Sequence, residues 1–219
     1  MNDLIYHINN DFKAFDIQEK IATVQYFFED VAYSHFPVLE DGVFLGTISS
    51  EEIGLFDTEK TLSDYKYTLD VFFTRKNHLL LEILQEFAQN DSNIMPVLDE
   101  NQNYLGYYEL DDIIKKFSET PFLKESGGLI VIEKKADDFA FSQIAQIVEG
   151  NNGKLLGLFI SNAIANRVQI TLKITSGSIN EIVQTFRRYE YDIISEHQED
   201  NYIQNLKERS EYLNKYLNI

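Results

Sequence analysis

Two stretches of this chain repeat one another. The first reads SHFPVLEDGVFLGTISSEEI (residues 34–53), and the second reads NIMPVLDENQNYLGYYELDDI (residues 93–113). Pro37 and Gly46 of the first stretch recur 59 and 60 residues later, so one residue has been added in the second turn. Repetition at such a period indicates a duplicated structural unit.

Each copy predicts the same short series of elements. An apolar strand over 36–39 enters an acidic turn, where Asp41-Gly42 is a hairpin signal because glycine accepts a positive φ. A second strand over 43–48 follows, and then a helix begins at Ser49 or Ser50 with acidic residues in its first turn.

The second copy predicts strands over 94–98 and 104–108, followed by a helix that begins near Leu110. A helical pattern precedes the strands in both copies, with apolar residues spaced i, i+3, i+4, i+7 in the second. The residues that carry these patterns are Ile21, Val24, Phe28 and Val31 in the first copy, and Leu80, Ile83, Leu84 and Phe87 in the second.

This sequence motif and order of elements resemble the cystathionine-β-synthase (CBS) domain, which occurs as a tandem pair. The family pattern is an apolar residue, Pro-Val, an acidic turn, glycine, two apolar residues, Ser or Thr, two further residues and Asp. The resemblance covers about residues 1–117 and implies two small modules packed together.

In that family, each copy contributes to a cleft for an adenine nucleotide. Backbone around the proline-led strand meets the base, a hydroxyl three residues after the glycine faces phosphate or ribose, and an acid six residues after it takes ribose hydroxyls. Carboxylates accept O–H donors, and helix-start N–H groups accept anionic oxygens. The ligand residues that the resemblance implies are His35, Phe36, Pro37, Ser49, Glu52, Ile94, Pro96 and Asp112.

Neither copy holds the complete hydroxyl–aspartate pair. The first keeps the hydroxyl as Ser49 but has Glu52 at the acid position, and the second keeps Asp112 but has Glu109 in place of the hydroxyl. An ionised carboxylate about 4 Å from a phosphate repels it by about 4 kcal/mol at an effective dielectric near 20. The alternative is that the prolines shape the strands, the acids favour helix N-termini, and no ligand binds.

A different pattern follows the repeat. FSETPFLKESGG (residues 117–128) has the proline and glycines of a boundary. Beyond it, apolar periodicity predicts the order β-α-β-β-α-β, the ferredoxin-like arrangement. This order resembles an ACT domain, although the first loop, EKKADDFAF, lacks the ACT glycine.

The predicted fold class is therefore α+β, a CBS pair with an ACT-like domain and a terminal helix, which resembles bacterial regulatory proteins of the acetoin-utilisation type. We expect the terminal helix to pack either on its own chain or on a dimer partner. The predicted divisions are CBS module 1 at 1–60, CBS module 2 at 61–120, a linker at 121–128, the ACT-like domain at 129–198 and the terminal helix at 199–219.

Composition excludes several classes of partner. Lys and Arg number 19 against 36 Asp and Glu, a net charge of −17, which repels phosphate backbones and anionic lipid. There is no cysteine for a disulfide, a thiolate nucleophile or a zinc site. The N-terminus has no basic start, and no stretch reaches the roughly 20 apolar residues of a membrane helix. We expect a cytoplasmic protein with no nucleic-acid or membrane partner.

No catalytic or metal site is expected. The four histidines form no H-x-x-x-H pattern, and neither a G-x-S-x-G elbow nor a phosphate-binding Gly-rich loop is present. The hypothesis from sequence is a non-enzymatic, homodimeric regulator that binds AMP, ATP or another adenosyl ligand. The alternative is a ligand-free dimerisation or interaction scaffold whose CBS and ACT sites are degenerate.

Overall fold

The computed structural model describes residues 3–175 and 179–195, and its architecture is mixed α and β. The chain divides into two compact units, Met1–Glu119 and Thr120–Ile219. The terminal helix expected over 199–219 lies outside the described residues.

The first unit holds both repeats. The first module contains β1 (Phe15–Asp16), α1 (Ile21–Asp30), β2 (His35–Glu40), β3 (Val43–Ser49) and α2 (Ser50–Ile53). The second module contains β4 (Thr74–Arg75), α3 (Leu80–Asn90), β5 (Ile94–Leu98), β6 (Tyr104–Glu109) and α4 (Leu110–Ser118). A 3₁₀ helix precedes each module, at Asp3–His7 and Leu62–Thr68.

Backbone pairing confirms the duplication predicted from sequence. In each module the short first strand pairs parallel to the proline-led strand, which pairs antiparallel to the third strand. Val38 lies opposite Gly46, Val97 lies opposite Gly106, and a bulge follows each valine. The two valines therefore have equivalent surroundings, as duplicated modules require.

The segment before each module crosses to the other module. Asn9 and Tyr107 exchange two backbone hydrogen bonds of 2.7 and 3.1 Å, and Thr47 and Asp70 exchange two of 2.8 and 3.0 Å. These reciprocal crossings attach each module to the segment that leads into its partner. We call the two segments the crossing segments, at Asn9 and at Asp70.

The repeated glycines make room for the crossing segments. A Cβ atom on Gly46 would lie 2.7 Å from the carbonyl oxygen of Asp70, and one on Gly106 would lie 2.5 Å from that of Asn9. Gly106 also has φ +132°, a conformation that side chains with a Cβ rarely adopt. The glycines of the repeat thus have a packing function that their spacing alone did not show.

A polar contact and shared apolar cores join the modules. The Ser34 N–H donates to Asn93 Oδ1 at 2.8 Å, and the Asn93 N–H donates to Ser34 Oγ at 3.1 Å. Ile94 and Tyr107 of the second module are fully buried in the core of the first. Leu4, which precedes the first module, is in turn buried in the core of the second, so neither module completes its core alone.

The second unit is one antiparallel sheet with two long helices. Its elements are α5 (Pro121–Lys124), β7 (Gly127–Lys135), α6 (Phe141–Gly150), β8 (Leu155–Ile164), β9 (Arg167–Thr175), α7 (Ile179–Arg188) and β10 (Asp192–Ile193). The strand order is β10-β7-β9-β8. Its core consists of apolar residues from β7, β9, α6 and α7 together with Tyr191. The likeness to ACT domains remains a prediction.

The stretch expected to be a linker contains a helix that packs on this sheet. Pro121 is the first residue of α5, where a missing N–H costs no helical hydrogen bond. The Lys173 ammonium on β9 donates to the Leu123 carbonyl at 3.0 Å, and the Phe122 ring packs edge-on to Phe159 at 6.0 Å. A Cβ atom on Gly157 would lie 2.6 Å from the Phe122 ring. These contacts hold α5 against β8 and β9.

Candidate functional site

The duplication creates two equivalent clefts, each between the start of a proline-led strand and a crossing segment. The first cleft comprises His35, Ser49 and Glu52 of the first module together with Asp70 and Ser92 of the second. The second cleft comprises their counterparts Ile94, Glu109 and Asp112, together with Asn9 and Tyr33. Strand register places His35 opposite Ser49 and Ile94 opposite Glu109.

His35 is the central residue of the first cleft. Its side chain is only 14% exposed, and its Nε2 lies 3.7 Å from Asp70 Oδ2 on the crossing segment. Its Nδ1 lies 3.0 Å from Ser34 Oγ, and its ring meets the Phe72 ring edge-on at 5.3 Å. The imidazole therefore contacts residues of both modules.

Burial and charge act on His35 in opposite directions. Burial lowers the pKa of the imidazole below its ordinary value, while the nearby carboxylates of Asp70, Asp91, Glu51 and Glu52 favour the protonated form. Burial has the larger effect, so the ring is mostly neutral at pH 7. The first cleft is therefore an acidic environment around a neutral imidazole.

Ser49 and Glu52 lie at the start of α2. Ser49 Oγ accepts the Glu51 N–H at 3.2 Å and caps the helix, and a capping hydroxyl keeps an O–H to donate. Glu52 Oε2 is buried and has no hydrogen-bond partner among the described residues. A buried polar atom without a partner is costly, and the Tyr107 hydroxyl of the second module shares this feature.

In the second cleft, the protein itself satisfies the carboxylate. Glu109 Oε1 accepts from Asn9 Nδ2 at 2.7 Å and from the Tyr33 hydroxyl at 2.9 Å. Burial, together with the hydrogen bond to Glu109, raises the pKa of Tyr33, which stays protonated and able to donate. Glu109 therefore belongs to an internal network.

Sequence reasoning missed the roles of Asn9 and Tyr33. They lie 100 and 76 residues from Glu109, and neither belongs to the repeat motif. The only signal in the sequence was Glu109, which stands where the family pattern has Ser or Thr. It indicated that the second cleft differs from that pattern.

Aromatic rings fill much of the second cleft. Tyr33 stacks on Phe36 at 5.8 Å, and it meets Tyr107 and Phe12 edge-on at 5.9 and 6.1 Å. The cavity that remains beside Glu109 has a volume of about 240 Å³. It is lined by Ala32, Tyr33, Asn93, Glu109, Leu110 and Asp111.

The other expected ligand residues take several positions. Phe36 and Ile94 are fully buried in the core of the first module, and Pro37 and Pro96 are buried within their strands. Asp112 lies on α4, where its carboxylate pairs with Lys115 at 3.2 Å. Among the expected residues, the structure brings His35, Ser49 and Glu52 together in the first cleft.

Three equivalent positions distinguish the clefts by size. Thr47, Ser49 and Ser92 of the first cleft correspond to Tyr107, Glu109 and Tyr33 of the second. The side chains of the first cleft are therefore the smaller ones. The Thr47 hydroxyl donates to the Asp70 carbonyl at 3.2 Å and the Ser92 hydroxyl to the Ile94 carbonyl at 2.6 Å.

The described residues contain neither a metal-binding cluster nor a membrane-spanning helix. Within 3–175 and 179–195, no group of three or more His, Asp or Glu side chains is arranged to hold a metal ion. None of the helices in these residues combines the length and the apolar composition that spanning a bilayer requires.

Comparison with known families identifies the second module. Residues 62–119 match the family model of the CBS domain. The first module repeats its strand pairing and register. A search of curated proteins found no match.

Solved structures with a similar backbone include a CBS domain pair/ACT domain protein from Thermotoga maritima. It is 19% identical, has a TM-score of 0.49, and is matched over 54% of this chain and 98% of its own. The CBS domains of a transcriptional regulator from Streptococcus pneumoniae are 15% identical, with a TM-score of 0.45 over 51% and 96%. The cytosolic domain of the Mg²⁺ channel MgtE, solved in complex with ATP, is 17% identical, with a TM-score of 0.43 over 50% and 46%.

Proposed function

We propose that this chain is a non-enzymatic regulatory protein whose first cleft binds an adenine nucleotide or nucleoside moiety. CBS domains generally serve regulatory and ligand-sensing roles, and residues 62–119 match that family. The observation that carries the proposal is the contrast between the clefts. The first has the smaller side chains at three equivalent positions and a Glu52 oxygen without a hydrogen-bond partner among the described residues, whereas Tyr33 and Asn9 hydrogen-bond to the acid of the second.

Each residue of the first cleft has a role in this proposal. Glu52 accepts ribose hydroxyls, Ser49 donates its O–H, and His35 contacts the base or sugar beside the Asp70 crossing segment. A ligand held there contacts both modules, so its binding energy shifts the equilibrium between two packings of the pair. Downstream protein partners would recognise one of those packings.

Thermal melting of the full chain with millimolar AMP, ATP and adenosine tests the proposal. A ligand that binds only the folded state adds about 2.7 kcal/mol at a hundredfold excess over Kd, which raises Tm by several degrees. The Glu52→Gln variant should lose most of this rise. Asp112→Asn, at the equivalent position of the second cleft, is the matched control and should keep it. No rise with any of the three ligands would contradict the proposal.

A second candidate function is a ligand-free homodimerisation scaffold. The internally satisfied Glu109 favours it, because one of the two clefts already needs no ligand. Replacing Glu109 by threonine restores a hydroxyl at that position. If Glu109→Thr binds AMP and the parent chain binds nothing, the scaffold reading is correct. Light scattering during gel filtration of the parent chain measures its molar mass and so tests whether it is a homodimer.

A further inference from the structure

We infer that the exposed edge strand β8 of the second unit pairs antiparallel with the same strand of a second copy of this chain. The inference rests on the homodimer of the second candidate function and names the surface through which the copies associate. It does not require a ligand in the first cleft.

The two edges of the second unit's sheet differ in length and charge. β10 forms one edge with only two residues, and its Asp192 carboxylate pairs with Arg167. β8 forms the other edge with ten residues, and among the described residues it pairs with β9 alone. Proteins commonly protect an edge strand by keeping it short or by placing charges on it. β10 has both protections, and β8 has neither.

β8 carries no charge along its length. Residues 155–166 read LLGLFISNAIAN, a run without any ionisable side chain in a chain of net charge −17. Two copies of so acidic a chain repel one another, so they associate most readily through a surface that has no carboxylates. β8 is such a surface.

Apolar side chains of β8 are open to solvent on both faces of the sheet. Phe159 is 47% exposed, Ile160 is 45% exposed and Ile164 is 68% exposed. Phe159 lies opposite Thr171, and Ile160 lies opposite the buried Ile170, so the two neighbours point to opposite faces. An edge that offers apolar side chains beside unpaired backbone groups is a template for another strand.

The sheets of the first unit have no comparable edge among the described residues. The crossing segments hydrogen-bond to Thr47 of β3 and to Tyr107 of β6, and β1 and β4 are two residues long. In the described part of the chain, β8 is therefore the long edge strand that nothing covers.

A second copy suits this edge because a strand that pairs antiparallel with itself forms a twofold-symmetric contact. With the axis near the middle of β8, Phe159 and Ile160 of each copy lie beside their counterparts, and both copies bury the same apolar side chains. Such a contact needs no opposite charge. A strongly basic or acidic partner, by contrast, finds no charge on β8 with which to pair.

Two bulges limit the strength of the contact. They leave residues 157–160 and 162–164 in regular register with β9, and bulges bend and twist a strand. A strand of this length is about 33 Å long and about 15 Å deep with its side chains, so it covers about 500 Å² per copy and about 1,000 Å² in total, the lower limit of specific interfaces. We therefore expect a weak, reversible dimer.

Sedimentation equilibrium of the full chain from about 1 to about 200 µM tests the inference, because dimerisation follows mass action. The mass should rise from 25.5 kDa towards twice that value. Ile160→Lys should weaken association at least about tenfold, since it places a charge in the contact. Ile194→Lys is the matched control and should leave association unchanged, because Ile194 is 47% exposed and follows β10 at the opposite edge of the same sheet.

The salt dependence separates this contact from one made of ion pairs. Raising NaCl from about 0.05 to about 0.5 M should strengthen the dimer, because it screens the repulsion between the copies and the contact itself has no charges to screen. A dimer that dissociates at high salt would overturn the inference.

Hydrogen exchange of the parent chain identifies what covers β8, even if Ile160→Lys does not fold. Peptides from residues 155–164 should gain protection as the protein concentration rises. Protection that does not change with concentration would mean that another part of the chain covers β8, or that a different protein does, and either overturns the inference. A dimer that neither Ile160→Lys nor Ile164→Lys weakens overturns the choice of surface and leaves the homodimer standing. A monomer at every concentration overturns both.

Discussion

Replacing Gly106 by alanine tests whether the crossing segments hold the two modules together. The new Cβ atom would lie 2.5 Å from the Asn9 carbonyl oxygen and 2.6 Å from Ile8 Cγ2, so the Asn9 segment must move. Its movement breaks the two backbone hydrogen bonds between Asn9 and Tyr107. Alanine also has to adopt φ +132°.

The expected loss of folding stability is the sum of two effects, backbone strain and steric overlap. Substitutions at two other glycines measure these effects separately. Gly42 has φ +82° and nothing within 4 Å, so Gly42→Ala measures backbone strain alone, about 1–2 kcal/mol. Gly46 has no positive φ but faces the Asp70 carbonyl at 2.7 Å, so Gly46→Ala measures overlap, about 1–3 kcal/mol. Gly106→Ala combines both effects and should destabilise the first unit by about 2–5 kcal/mol.

Hydrogen exchange monitored by mass spectrometry is the appropriate assay. Peptides from residues 1–119 report the free energy of opening of the first unit, without contribution from unfolding of the second. In Gly106→Ala, peptides containing Asn9 and Tyr107 should lose protection first. In Gly46→Ala, the first loss should occur around Thr47 and Asp70.

Two results would refute this reasoning. One is a Gly106→Ala cost no larger than that of Gly42→Ala. The other is unchanged protection at Tyr107, which would show that the crossing segment neither moves nor contributes to stability.

Three further predictions concern single side chains. Because burial lowers the pKa of His35 below 6.5, the unfolded state binds more protons near that pH, and stability should fall as pH is lowered from about 7.5 to 5.5. Urea unfolding of His35→Asn should show a smaller pH dependence. Gly157→Ala should displace Phe122 and cost about 1 kcal/mol in thermal melting, whereas Gly150→Ala, with open space around it, should change stability by less than about 0.5 kcal/mol. Lys173→Met should cost about 1.5 kcal/mol and speed proteolysis near residues 121–126, and equal cleavage rates would contradict the packing of α5.

Local signals were sufficient to predict the repeated elements. β5 occupies residues 94–98 as expected, and α3 carries its four periodic apolar residues. α1 carries Ile21, Val24 and Phe28, but it ends at Asp30, so Val31 lies just beyond it. The proline-led strands and the Asp41-Gly42 turn could be predicted because turn chemistry and periodicity depend on neighbouring residues. Ser49 caps α2, as a serine before acidic residues predicts.

The candidate site was only partly predictable. The motif named His35, Ser49 and Glu52, and the structure places them together. It did not show that Glu109 has its own donors in Asn9 and Tyr33, so the expected repulsion of a phosphate was only part of that cleft's chemistry.

Spacing and periodicity by themselves determined that this chain contains two copies of one strand–turn–strand–helix unit and a separate second unit. The tertiary structure decided that Glu52 has an oxygen without a partner among the described residues, while Glu109 accepts from Asn9 and Tyr33. Asn9 and Tyr33 lie 100 and 76 residues from Glu109 and reach it only because the modules face one another. No local sequence pattern predicts such a contact. The repeated glycines show both contributions. Their spacing was visible in the sequence. Only the tertiary structure shows why glycine is required, because a Cβ atom at either position would overlap the backbone of a crossing segment.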